Sequence, residues 1–344
     1  MKILKQVLGI DVAQKELVVS LGRLREDLTQ EIYASKAFAN NEKGHLNLVG
    51  WVNKLADSSH RVQYVMEATG VYHEGIAYFL FDRSLDVSIV LPNKISSYVR
   101  TLEVKTINDF TSAEAIVRFG LERKLELWKR PEPTLKKLKQ LCRERDQIVS
   151  ERTIVKNQLH AELAEAEPNA SSIARLRKRI QFLNKQEREV KEEIKIHVKS
   201  DVNLSRVVDT ITTIPGVGLL TAATVLSETN GFELIRNKRQ LASYAGLDIR
   251  EKQSGTSVKG KPTISKRGNR YLRKAMHLPA LAATRIDPKI KSVFIRIVER
   301  HGIKMKAVVA IQRRLLEMIY TIFKTKTPYQ KDYQYQNKKE KQLA

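Results

Sequence analysis

The sequence contains a single cysteine, Cys142, in 344 residues. A disulfide framework within one chain is therefore excluded, and so is a zinc site built on clustered cysteines. A reducing compartment suits such a chain. No apolar stretch reaches the roughly 18–20 residues needed to span a bilayer, so no membrane partner is expected. The opening MKILKQVLGIDVAQKELVV has only a short apolar run, interrupted by charge, and does not read as a signal peptide. No repeat of solenoid period is present. The expected setting is soluble and cytoplasmic.

Acid is also scarce. There are 38 Asp and Glu residues against 62 Lys and Arg, giving a net charge of +24. The imbalance is local. Residues 1–130 hold 18 basic and 16 acidic residues, and residues 131–344 hold 44 and 22. The first third is nearly neutral, and the rest is suited to a polyanion, of which nucleic acid is the commonest. Hydrophobic residues make up 42%, which excludes a wholly disordered chain, and the length suggests two or three domains.

The hydrophobic pattern predicts strands over 3–12, 16–22, 30–37, 61–67 and 87–91. It predicts helices over 40–56, 71–83 and 109–128. Strands first, then strands alternating with helices, argue for a mixed-sheet α/β domain over 1–130. Residues 135–199 hold no glycine and one proline, with dense charge and leucine, isoleucine and valine at three- and four-residue steps. A break at 166–171 divides this stretch into two long helices, so residues 131–204 are expected to form a coiled-coil helical hairpin. Its charged faces read as solvated surface, with an RNA- or dimer-contacting role as the alternative. Residues 205–325 form a third, mostly helical unit, and 326–344 a basic polar tail expected to be disordered. The fold class is thus α/β plus α.

Three constellations can carry chemistry. Asp11 and Glu67 end apolar strands, and Asp109 opens a helix. Carboxylates at neighbouring strand ends can converge, and a cluster of hard oxygen ligands suits Mg²⁺ or Mn²⁺. Two such ions about 4 Å apart can assist phosphodiester cleavage. The plainer reading is a turn-forming aspartate and a Glu67 paired with a lysine. The second is Ile214-Pro215-Gly216-Val217-Gly218 before the helix-like LLTAATVLSE. Its Gly216 and Gly218 allow a turn that holds a phosphate at a helix N-terminus, as in a helix-hairpin-helix element, or an ordinary helix–helix turn. The third is the stretch 250–274, with nine basic residues and one acid: Arg250, Lys252, Lys259, Lys261, Lys266, Arg267, Arg270, Arg273 and Lys274 against Glu251. Such a stretch suits a phosphate backbone. Within it, Ser254 is a plain turn residue or, beside so much positive charge, a nucleophile for phosphorus.

In this order the pieces resemble one family, the transposases of IS110-type bacterial insertion sequences with the related Piv-type DNA invertases. GIDVAQKELVV, MEATGVYHEGIAYFL and the DxxSAEAI region resemble the family's RuvC-like, RNase H-fold domain. TIPGVGLLTAATVLSE, FELIRNKRQLASYAGL, REKQSG and ISKRGNRYLRKAMHLPAL resemble its C-terminal transposase domain. The resemblance implies an enzyme that cuts and rejoins donor and target DNA. A Mg²⁺-binding acidic site would comprise Asp11, Glu67 and Asp109, and Ser254 would become linked to DNA. It also implies a guide (bridge) RNA, and a homo-oligomer, dimer or tetramer, in which domains of different protomers complete one active site. The setting would be bacterial and nucleoid-associated. One departure stands out: where the family carries D-x-x-D, Ser112 occupies the place of the second acid. Glu114, five residues from Asp109, lies about 140° round the helix and is a poor substitute. Two other readings are a RuvC-type metal-dependent nuclease without a covalent intermediate, and a non-catalytic RNA- or DNA-binding protein.

Overall fold

The computed structural model describes residues 2–68, 70–102, 108–233, 235–251, 253–254, 258–260 and 263–331. The chain divides into two units, residues 1–130 and residues 131–344.

In the first unit, aliphatic and β-branched runs that fit a buried pleat build β1 (Ile3–Val12), β2 (Glu16–Arg25) and β3 (Gln30–Ala39). There follow α1 (Glu42–Leu55), β4 (Val62–Glu67), α2 (Glu74–Phe81), β5 (Asp86–Val90), α3 (Pro92–Val99) and α4 (Asp109–Glu122). The five strands form one mixed sheet in the order β3-β2-β1-β4-β5. The first three pair antiparallel, while β4 and β5 run parallel to β1, as helical crossovers permit.

Successive residues of β1 point to opposite faces. Leu8 and Ile10 join Leu48 of α1 and Ile76 and Leu80 of α2 in one core. Val7 joins Val65, Ile116 and Val117 in the other, under α3 and α4. Both faces of the central strand are therefore covered.

Two local differences from the sequence reading have clear causes. The helix expected to reach 128 ends at Glu122, because the chain beyond turns extended and the Trp128 amide donates to the Val87 carbonyl at 2.7 Å. Trp128 also packs edge-on against Tyr78 and Phe81. Helix α3, not anticipated, begins at Pro92, whose fixed φ and missing amide hydrogen suit a first helical position.

The second unit opens with two 31-residue helices, α5 (Pro133–Leu163) and α6 (Ala170–Ser200). Asn169 caps α6 by accepting from the amides of Ser171 and Ser172. The pair is antiparallel: Lys137 faces Glu193, and Arg152 bonds Asn184. Between them lies a buried carboxylate, Glu187, held by Arg145, Arg152 and Lys191. Burial raises its affinity for a proton, but hydrogen bonds from Lys191 and Arg152 outweigh that and bring it down to about 2.

The remaining elements are α7 (Val202–Thr212), α8 (Leu219–Glu228), α9 (Lys238–Tyr244), the short strands β6 (Ile249–Arg250), β7 (Gln253–Ser254), β8 (Val258–Lys259) and β9 (Thr263–Ile264), then α10 (Arg270–Ala275), α11 (His277–Ile286), α12 (Pro288–His301) and α13 (Lys304–Thr325). One continuous core joins the helical hairpin to this group, running from Leu138 and Val198 through Val208, Ala222 and Leu241 to Ile311 and Ile319. Among the described residues, no helix is long and apolar enough to cross a membrane.

Candidate active site

Two glycines fix where the acids meet. A Cβ on Gly9 of β1 would stand 2.4 Å from the Ala113 carbonyl and 2.7 Å from the Val117 amide of α4. A Cβ on Gly120 would stand 2.7 Å from Val7. Helix α4 thus lies directly on the β1 backbone and runs against the strand direction: Gly120 lies over Val7, and Ala113 and Val117 over Gly9. One turn before Ala113 is Asp109, and two residues beyond Gly9 on the same strand face is Asp11. The parallel register pairs Ile10 with Met66, so Glu67 follows as the neighbour of Asp11 one strand away. Three carboxylates from three elements therefore lie towards one end of one sheet face, with Asp11 as the neighbour of each of the other two.

Their electrostatics bear the marks of this approach. Burial raises the Asp11 carboxyl above the ordinary carboxylate range and the charge of Asp109 adds to the effect, against a hydrogen bond from the Val12 amide. Burial likewise raises Glu67, and Asp11 adds to it. Asp109 is the first residue of α4, where the helix dipole favours a negative charge. Its position is fixed by a capping box: Asn108 accepts from the Thr111 amide, and the Thr111 hydroxyl accepts from the Asn108 amide. Ser112, three residues on, is half-buried beside Asp109 on the same helix face. Among the described residues, no set of three or more His, Cys, Asp or Glu side chains is arranged to hold a metal ion. The approach is pairwise, Asp11 with Asp109 and Asp11 with Glu67.

The basic stretch resolves into groups with different tasks. Arg250 lies in β6, paired through Thr263 of β9, and Ser254 in β7 pairs with Val258, one residue before Lys259 in β8. Lys252 and Lys261 lie outside the described residues. Lys266, Arg267 and Arg270 are exposed, the first two in the turn ahead of α10. Arg273 and Lys274, expected to grip phosphate, also have partners within the chain. The Arg273 guanidinium donates to the carbonyls of Ala245 at 2.8 Å and Gly268 at 3.2 Å. Lys274 pairs with Asp146 of α5.

Gly216 also has a packing role. Its φ is +82°, and a Cβ there would stand 2.7 Å from the Pro279 carbonyl and 2.8 Å from the Ala283 amide of α11. The turn between α7 and α8 is thereby pressed onto α11. Gly218, the N-cap of α8, faces open space.

The sequence reading missed the buried polar knot beneath this region. The Glu228 side chain is fully buried and accepts two hydrogen bonds from Arg143, at 2.7 and 3.0 Å, and one from Asn269 Nδ2 at 2.7 Å. Asn269 also caps α10, accepting from the amides of Tyr271 and Leu272. One carboxylate thus ties the first long helix to the helix that ends the basic stretch. Its only trace in the sequence is an acid at the end of the apolar run LLTAATVLSE. Removing one member of such a pair leaves the other charge unmatched, at a cost of about 3–5 kcal/mol when both are buried. Glu228 is the deeper partner, while the Arg143 side chain is 41% exposed. Arg143→Ala, which leaves Glu228 with Asn269 and with Lys139 at 3.9 Å, is therefore expected to cost about 2–3 kcal/mol in urea unfolding, less than loss of a fully buried partner and more than Glu228→Gln.

Residues 208–294 match the family model described as Transposase IS116/IS110/IS902 family. Residues 8–168 match a transposase model of the DEDD, IS110 type. The chain is 25% identical over 328 residues to the pilin gene-inverting protein of Moraxella lacunata, covering 95% of this chain and 98% of that protein. It is 25% identical over 298 residues to the transposase for insertion sequence element IS1111A of Coxiella burnetii, covering 77% and 78%. The Thermus thermophilus RuvC structure covers 36% of this chain and 99% of its own, at 10% identity and a TM-score of 0.28. With both models matched in order along its length, the chain belongs to the IS110/IS116 transposase family, a family of DNA-recombination enzymes.

Proposed function

We propose that the chain cuts and rejoins the DNA of an insertion sequence, with the acidic set of the first unit and Ser254 of the second acting in one reaction. The observation that carries this reading is the approach of Asp11 to Asp109 and to Glu67, pair by pair, at one end of one sheet face. The strand order β3-β2-β1-β4-β5 agrees with the RNase H-type, RuvC-like domain that the sequence resemblance implies.

The donors are hard oxygens that repel one another, which fits Mg²⁺ or Mn²⁺. Asp11 and Glu67 would hold the ion, with Asp109 and Ser112 completing the set. When bound, such an ion neutralises the carboxylates and stabilises charge developing on the phosphate oxygens. The Ser254 hydroxyl attacks phosphorus: an Oγ–P bond forms, the P–O bond to the leaving strand breaks, and the departing strand oxygen receives the proton. Attack by another strand's hydroxyl on the same phosphorus rejoins the DNA and restores Ser254.

Arg250, Lys252, Lys259, Lys261, Lys266, Arg267 and Arg270 steady the backbone near this serine. The α7–turn–α8 segment acts as a helix-hairpin-helix-like grip through the open N-terminus at Gly218. The two long helices act as a coiled-coil arm. The partners are donor and target DNA, a guide (bridge) RNA and further copies of the chain.

The test is to incubate the full chain with DNA carrying the element's ends, with RNA transcribed from the flanking DNA and with Mg²⁺. A covalent protein–DNA species and exchanged strands are expected, both lost on adding EDTA. Cleavage that leaves free ends and never an adduct overturns the serine step.

A further inference from the structure

We infer a second nucleic-acid contact in the first unit, a groove between edge strand β3 and helix α1 that takes a single strand by its phosphates and one base. The inference rests on the reading of the chain as an enzyme that handles DNA strands. The groove encloses about 610 Å³ and is lined by Lys36, Lys43, Lys54, Trp51, Asn47 and Gly50 among others.

Its charge is one-sided. Three lysines line it, no acidic residue does, and all three are exposed. This occurs in a unit whose basic and acidic residues nearly balance, 18 against 16. A single-signed concavity attracts the opposite charge, here a polyanion.

Its geometry is regular. Lys43, Asn47, Gly50 and Lys54 follow one another at steps of four, three and four along α1, which places them in one stripe. Lys36 contributes from β3, above the Phe38 ring at 5.4 Å. A Cβ at Gly44 would stand 1.9 Å from the Ala39 carbonyl, so the start of α1 is pressed against the end of β3 and the groove walls are fixed.

Gly50 is the informative residue. It stands inside a helix, where glycine is unfavourable, and nothing lies within 4 Å of where its Cβ would be. Packing within the unit does not require it. A backbone left bare in the floor of a charged groove allows a ligand to approach closely. Beside it, the half-buried Trp51 stands edge-on to Phe38 with ring centroids 5.7 Å apart, so the groove offers an indole for stacking. Lysines that follow a backbone, together with an aromatic surface for a base, are the means by which proteins hold single strands without reading sequence.

Trp51 supplies a local readout. The chain has two tryptophans, and Trp128 is packed against Tyr78 and Phe81, so Trp128→Phe leaves Trp51 as the sole indole. The full chain in this background is titrated with eight-residue oligo(dT) and oligo(U), following Trp51 fluorescence at several salt concentrations. Quenching is expected, and the tighter of the two probes names the strand as DNA or RNA. Combining Lys36→Glu, Lys43→Glu and Lys54→Glu is expected to shift the midpoint about a hundredfold at 0.1 M salt and to lower the log–log salt slope by about 2. The three Lys→Arg changes are expected to retain binding, and Gly50→Leu to weaken it about tenfold by filling the floor.

Absence of quenching, or a midpoint unmoved by the three charge reversals, overturns the groove. So does a change in self-association on sedimentation with quenching untouched, which assigns the face to a contact between copies. None of these results touches the adduct assay, so failure of the groove and failure of the recombinase reaction remain separable.

Discussion

Asp11→Asn is expected to abolish strand cleavage while making the protein more stable at neutral pH. Loss of an outer partner of a metal ligand alone costs 10–100-fold, so loss of the central ligand itself is expected to cost more than about a hundredfold in cleavage rate. The stability gain follows from linkage. Burial and the charge of Asp109 raise the Asp11 carboxyl above its ordinary 3.8, so the folded chain holds this proton more tightly than the unfolded chain does. Ionisation therefore penalises the fold. The penalty is complete above the raised value, falls as pH drops through it towards 3.8, and vanishes below. Asparagine has the shape without the charge, so its advantage in melting temperature is largest at pH 7 and fades on acidification. Added Mg²⁺ or Mn²⁺ is expected to raise the melting temperature of the natural chain and leave the variant nearly unmoved. A variant that melts like the natural chain at pH 7 and still cleaves DNA refutes the acidic site.

Ser254→Ala is expected to remove the protein–DNA adduct and to lower strand exchange by at least about a thousandfold, as losses of nucleophiles do. DNA affinity in a gel shift is expected to stay within about twofold, because one hydroxyl adds little to a contact dominated by phosphates and lysine and arginine side chains. Unchanged affinity also separates a lost nucleophile from a misfolded unit. Cleavage that persists without an adduct selects a hydrolytic nuclease of RuvC type, which needs the acids alone. Undiminished adduct formation assigns the nucleophile to another residue.

The neighbourhood of Asp11 and Glu67 was the most legible feature of the sequence, because it is written in strand periodicity. Asp11 and Glu67 each end an apolar run, and once β1 and β4 pair in parallel their neighbourhood follows from register. The orientation of α4 rests on Gly9 and Gly120, whose meaning emerges only when a helix lies on them. The basic stretch was legible as charge but not as assignment. Nothing in RYLRK distinguishes Arg270, left in solvent, from Arg273 and Lys274, which bind Ala245 and Asp146. Those partners are distant in sequence, and so are the carboxylate of Glu228 and the Arg143 that meets it. The β3–α1 groove was equally invisible, since Lys36 joins the stripe of α1 only through the sheet. The end of α4 at Glu122 was misread because helical propensity beyond it yields to the packing of Trp128.

The carboxylate of Glu187 has a mechanical consequence. Sliding α6 along α5 by one turn displaces it about 5.4 Å, enough to end the arrangement in which Arg145 and Arg152 reach it together, while Lys191 of its own helix travels with it. The two pairs across the hairpin therefore favour one offset of the two helices. Because that carboxyl stays ionised down to about 2, the preference persists in all but strongly acidic solution. The hairpin thus has one preferred register, pinned by a charge near the middle of α6.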